Sequence, residues 1–76
     1  MRIRKLFKIG EVMRLTKLSR QRIHNYTVMG LIREAERTES GHRLYGEEVF
    51  DRLRLIESLK ERMTLEQIKE RLGRES

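Results

Sequence analysis

The stretch Ser19-Arg20-Gln21-Arg22-Ile23-His24-Asn25-Tyr26 gathers the side chains best suited to meeting a polyanion or the edge of a base. On a helix turning about 100° per residue, Arg20, Gln21, His24 and Asn25 share an arc of about 140°, and Ile23 and Tyr26 fall opposite. Arginine matches guanine O6/N7, and asparagine or glutamine matches adenine N6/N7, each through paired hydrogen bonds. No Asp or Glu interrupts that face. A helix of this width fits the major groove of a duplex, with a preceding helix resting across the backbone.

The charge distribution agrees. The 76 residues carry 18 Lys and Arg against 12 Asp and Glu, a net charge of +6. Residues 1–32 hold Arg2, Arg4, Lys5, Lys8, Arg14, Lys17, Arg20 and Arg22 against a lone Glu11, so the whole excess sits there. A local basic excess suggests nucleic acid or an anionic membrane surface. The membrane is disfavoured, because Leu6, Phe7 and Ile9 give too small an apolar face and no run approaches the roughly 18 apolar residues of a span. The N-terminus does not read as a signal peptide, which leaves a cytoplasmic, nucleoid-associated protein as the expectation.

Other chemistry finds little support. With no cysteine there is no disulfide, thiolate zinc site or thiol nucleophile. His24 and His42 lack a third ligand cluster, and no Ser-His-Asp arrangement or phosphate loop is present. Neither enzyme nor cofactor is expected. Met13, Met29 and Met63 read as gap-filling residues. The strip Arg52, Arg54, Glu57, Lys60, Glu61 and Arg62 reads as a solvated face with i,i+4 pairs.

The elements that must hold the cationic face can be read from spacing. Ile9, Val12 and Met13 mark a first short helix from Gly10 to Leu15, interrupted at Thr16-Lys17-Leu18. Ser19 is an N-cap for a second helix running to about Met29, with Gly30 as its left-handed stop. Thr38-Glu39-Ser40-Gly41 is a turn within 31–45, with Leu31, Ile32, Leu44 and Tyr45 anchoring a ragged hairpin. Val49, Phe50, Leu53, Ile56 and Leu59 stripe a long helix from Glu47 to about Arg62. Thr64-Leu65-Glu66-Gln67 is a capping box for a last helix with Leu65, Ile68 and Leu72 inward and Gly73 at its close. Arg2, Arg4 and Lys5 read as a flexible basic arm.

Taken jointly, FKIGEVMRLTKLSRQRIHNYT, GLI, RTESGHRLYGEEVFDRLRLIESLK and TLEQIKERL resemble the N-terminal DNA-binding domain of MerR-family transcription regulators from about Phe7 to Leu72. The resemblance implies a mostly α, winged helix-turn-helix fold: two helices, a β-hairpin wing over 33–45, and two further helices. It implies an arm or strand at 1–8, a DNA-binding domain at 9–72 and a tail at 73–76. Its implied DNA-binding set places Lys17, Ser19, Arg20, Gln21, His24, Asn25 and Tyr26 on the turn and recognition helix (19–29). His42 and Arg43 belong to the wing in that reading, Tyr45 ends it as a packing residue with its hydroxyl outward, and Lys60 sits where some members place a lysine on phosphate.

The sequence departs from the family pattern in three places. His24-Asn25-Tyr26-Thr27 stands where an Arg-Tyr-Tyr-Glu-like stretch is usual, Lys17 replaces a common turn glycine, and His42 replaces a frequent tyrosine. The family's long pairing helix and effector domain are expected to be absent after Ser76, so no small-molecule effector is implied. The expected partner is double-stranded DNA, with weak dimerisation or a cooperative array on DNA as an open option. Two alternatives stand beside this reading: an architectural factor of the excisionase type, and a protein-interaction module docking through the Val49–Leu59 helix.

Overall fold

The computed structural model describes residues 4–75. Its elements run β1 (Leu6–Lys8), α1 (Ile9–Thr16), α2 (Arg20–Val28), β2 (Glu36–Arg37), β3 (Arg43–Gly46), α3 (Glu48–Leu59) and α4 (Leu65–Glu75). The three strands form one antiparallel sheet in the order β1-β3-β2. Mostly helical, with a small hairpin between two helix pairs, this is the winged helix-turn-helix plan.

Local chemistry sets each boundary. The Lys8 N–H donates to Glu11 Oε1 at 3.0 Å, starting α1. At the other end Lys17 takes φ 65° and sends its N–H to the Met13 carbonyl at 2.9 Å. That left-handed residue turns the chain into α2, at a cost of about 1 kcal/mol for a side chain bearing Cβ. Ser19 Oγ then accepts from the Arg22 N–H at 3.1 Å, closing the N-terminus of α2. Gly30, at φ 82°, ends it, and the Leu31 N–H reaches back to the Tyr26 carbonyl at 2.9 Å. Thr64 and Gln67 satisfy each other's backbone N–H at 3.1 and 2.9 Å, the reciprocal box expected for α4.

The core is continuous, built from Val12, Ile23, Tyr26, Leu31, Ile32, Tyr45, Val49, Leu53, Ile56, Ile68 and Leu72. Each large side chain so buried stabilises the fold by about 1.5–3 kcal/mol. No polar or charged residue is buried among the described residues. In α2 only Ile23 and Tyr26 reach the core. A helix that contributes so little burial leaves most of its surface free for other work.

Several boundaries differ from expectation. α3 ends at Leu59 rather than near Arg62, where turns take over. α4 runs through Gly73 to Glu75, so residues 73–75 are helix rather than tail; one glycine costs a helix only about 1 kcal/mol. Leu31 and Ile32 are core residues ahead of the wing rather than strand residues. The basic arm is partly built into the fold. Residues 6–8 pair with β3 (Leu6↔Gly46, Phe7↔Tyr45, Lys8↔Leu44), Phe7 meets Phe50 edge-to-face at 4.9 Å, and Arg4 pairs with Glu48. Arg2 lies outside the described residues.

Candidate nucleic-acid interface

Arg20, Gln21 and Asn25 are exposed along α2, and His24 is half-buried between them. Gln21 Nε2 donates to Asn25 Oδ1 at 2.9 Å. The two amides thus stand side by side one turn apart, with the Asn25 amide hydrogens, the second Gln21 amide hydrogen, the Gln21 oxygen and one lone pair of Asn25 Oδ1 left over to pair elsewhere. Arg20, Gln21 and His24 also line an open cleft of about 470 Å³ with Ile9 and the wing residues Gly41, His42 and Arg43. No carboxylate lines it.

The wing holds its side of the cleft through a charge chain. Arg43 Nε lies 2.8 Å from Glu34 Oε2, and Arg37 Nε donates to Glu34 Oε1 at 2.6 Å. The Arg37 hydrogen bond, reinforced by the Arg37 and Arg43 charges, holds the Glu34 carboxyl below the usual carboxylate range. Arg43 Nη1 approaches His24 Nδ1 at 3.3 Å. A guanidinium has no acceptor, so Nδ1 accepts, and the proton of a neutral His24 ring sits on Nε2 as a donor. One end of this chain is therefore on the wing and the other on α2. His42, exposed at the wing tip, places Nδ1 3.0 Å from Ser40 Oγ, and its own N–H donates to Thr38 Oγ1 at 3.1 Å. Gly41 takes φ 87° to close this tip.

Two tyrosines of the expected contact set are corrected to positioning roles. Tyr26 is 1% exposed and Tyr45 0%, so their rings pack in the core rather than face a duplex. Tyr26 points inward because it shares the Ile23 side of α2, and its hydroxyl donates to Glu57 Oε2 at 2.5 Å. Burial first, then that bond and the Glu57 charge, keep the phenol protonated well beyond its usual range. The Thr27 hydroxyl gives its proton to the Ile23 carbonyl at 2.8 Å, so Tyr45 donates to Thr27 Oγ1 at 2.8 Å. That bond fastens α2 to the wing strand.

Ser19 Oγ is committed to its cap, while Lys17 is exposed in the turn. Lys60 is half-buried just past α3; its Nζ lies 3.7 Å from Glu57 Oε2 and 5.8 Å from the Tyr26 ring centroid. Glu57 also accepts from Arg22 Nη1 at 3.1 Å. It is therefore the junction of α2 and α3, not part of a solvated strip. Glu34, Glu57 and Thr27 escape sequence reasoning because their partners lie across turns or 31 and 35 positions away. Only Thr27, next to Tyr26 and four residues after Ile23, carries a local signal of back-bonding.

Comparison with known proteins follows the same outline. Residues 7–75 match the family model described as MerR HTH family regulatory protein. The chain is similar to a mercuric resistance operon regulatory protein of Bacillus cereus, 40% identical over 68 residues, covering 88% of this chain and 52% of that protein. It is similar to the nodulation protein NolA of Bradyrhizobium diazoefficiens, 38% identical over 58 residues, 76% of this chain and 24% of that protein. A crystal structure of a MerR-family transcriptional regulator from Bacillus cereus superposes with a TM-score of 0.77 at 25% identity, covering 90% of this chain and 52% of that one. The chain thus spans about half or less of the length of these relatives.

Proposed function

Because this chain belongs to the MerR family of helix-turn-helix transcriptional regulators, we propose that it binds double-stranded DNA sequence-specifically, with α2 in the major groove and the wing on the adjacent backbone. The observation that carries this reading is the acid-free face of α2: Arg20, Gln21, His24 and Asn25 share it, and the first three open onto a cleft whose far wall is His42 and Arg43. In this arrangement Gln21, His24 and Asn25 meet base edges, and each good two-pronged amide contact discriminates by about 1–3 kcal/mol. Arg20, Lys17, His42 and Arg43 meet phosphates, fixing register without reading sequence. Lys60, already on Glu57, contributes charge from the α3 end.

A single small module holds DNA modestly, so occupancy of a promoter calls for self-association or adjacent sites. The protein acts in the cytoplasm, on the nucleoid.

Selection of bound duplexes from random DNA, with complex stoichiometry measured at two salt concentrations, tests the proposal. A defined motif in inverted half-sites, with log–log salt slope near about −5 for some six phosphates, supports it. Direct repeats with bending would instead favour an architectural factor, and failure to retain any duplex would refute DNA binding.

A further inference from the structure

The polar face of α2 contains one apolar side chain. Val28, the last residue of the helix, is 68% exposed, the most exposed large hydrophobic among the described residues. With Arg20 at zero on a wheel of about 100° per residue, Val28 falls at about 80°, between His24 at about 40° and Gln21 at about 100°. It therefore sits within the arc assigned to base edges, one turn beyond His24. Its neighbours face elsewhere: Thr27 bonds to Ile23 and Tyr45, and Met29 packs against the core. Val28 does nothing for the core, and valine is a weaker helix former than alanine or lysine.

Lone exposed hydrophobics are ordinary, and Leu15 and Leu55 are exposed too, but on α1 and α3. Val28 differs in its position. A β-branched side chain on a helix is stiff at χ1, so its two methyls point in a fixed direction. The major groove offers one apolar feature to such a group, the C5-methyl of thymine. The axial step from His24 to Val28 is about 6 Å, close to two base-pair steps of about 3.4 Å. With α2 lying along the groove, as proposed above, a residue on this arc stands opposite a base about two pairs from the one His24 meets.

We propose that Val28 is a specificity-determining residue whose methyl groups pack against the C5-methyl of a thymine in the bound site. This rests on the DNA-binding reading above, and adds to it a base preference that Arg20, Gln21, His24 and Asn25 do not supply.

The test replaces each thymine in a duplex selected by the 76-residue chain with deoxyuridine, one at a time, and measures affinity for the native chain, Val28→Ala and Val28→Thr. Removing one buried methyl is worth about fourfold in an equilibrium constant. The native chain is expected to lose about that factor at one thymine, two base pairs or so from the base lost with His24→Ala. Val28→Ala is expected to bind the thymine duplex about fourfold more weakly and to be indifferent to that one replacement, with Val28→Thr, which keeps one methyl, in between. Alanine favours the helix, so unchanged thermal unfolding is expected for Val28→Ala. The contact is overturned if Val28→Ala still responds to the replacement as the native chain does, or if no thymine replacement matters. It is also overturned if the Val28→Ala loss is the same on both duplexes and tracks protein concentration, which would assign the side chain to a contact between copies. A chain that retains no duplex overturns the DNA-binding reading together with this one.

Discussion

Replacing Tyr26 by phenylalanine removes one oxygen from the junction between α2 and α3 and leaves the ring in place. The phenol is buried and donates to Glu57 Oε2 at 2.5 Å, and a hydrogen bond to a charged group contributes about 1.5–3 kcal/mol net. Glu57 keeps Arg22 at 3.1 Å and Lys60 at 3.7 Å, so the carboxylate is not orphaned and the lower end applies. The expected loss is ~1.5 kcal/mol, or roughly 6–12 °C in Tm for a chain this size. The pH dependence gives a second, sharper reading. Burial and Glu57 hold the phenol protonated in the folded protein, above its unfolded value of about 10. Its contribution to stability is therefore complete below pH of about 10 and is lost as pH rises further toward the folded value. Urea unfolding of native and Tyr26→Phe chains across that range should show a stability gap at neutral pH that narrows in alkali. Equal stability at neutral pH, or parallel alkaline slopes, would refute the role given to this hydroxyl.

Three further outcomes follow. Lys17→Gly should raise stability by about 1 kcal/mol in urea unfolding, since it relieves a left-handed residue at φ 65°; a loss would show that the lysine is not strained. Ser19→Ala should lower stability by about 1 kcal/mol by leaving the Arg22 N–H uncapped, with circular dichroism checking that α2 remains. In electrophoretic or anisotropy assays, Arg43→Ala should weaken binding to all duplexes alike, whereas Asn25→Ala should shrink the gap between selected and mismatched sites by about 1–3 kcal/mol; equal, sequence-independent losses from both would remove Asn25 from base reading.

What the sequence made legible is what local rules encode. Ser19 caps α2, Gly30 stops it, Gly41 turns the wing, and Thr64 with Gln67 starts α4, because each acts within a few residues of itself. The helical stripe of Val49, Leu53 and Ile56 is buried for the same reason. Pairings between distant segments were not legible. β1 is only three residues long, too short for any period, and exists because β3 offers it an edge. Tyr26 was readable as inward from its place beside Ile23 on the helix, but the bonds of the Tyr26 and Tyr45 hydroxyls to Glu57 and Thr27, 31 and 18 positions away, were not. Glu34 was invisible as the link between Arg37 and Arg43 because only the folded wing brings both arginines to it. The cationic face of α2 was readable from the helical period, although its coupling to the wing through His24 and Arg43 was not.

The central claim is that the open flank of α2, together with the wing, is where a duplex lies. Titrating the isotope-labelled chain with its selected duplex and following side-chain and backbone NMR signals locates that contact directly. The largest changes are expected at Gln21, His24, Asn25 and Val28, with a second set at His42 and Arg43, and little change along α4. Changes concentrated instead around Leu15, Leu55 and α4, with α2 undisturbed, would contradict it.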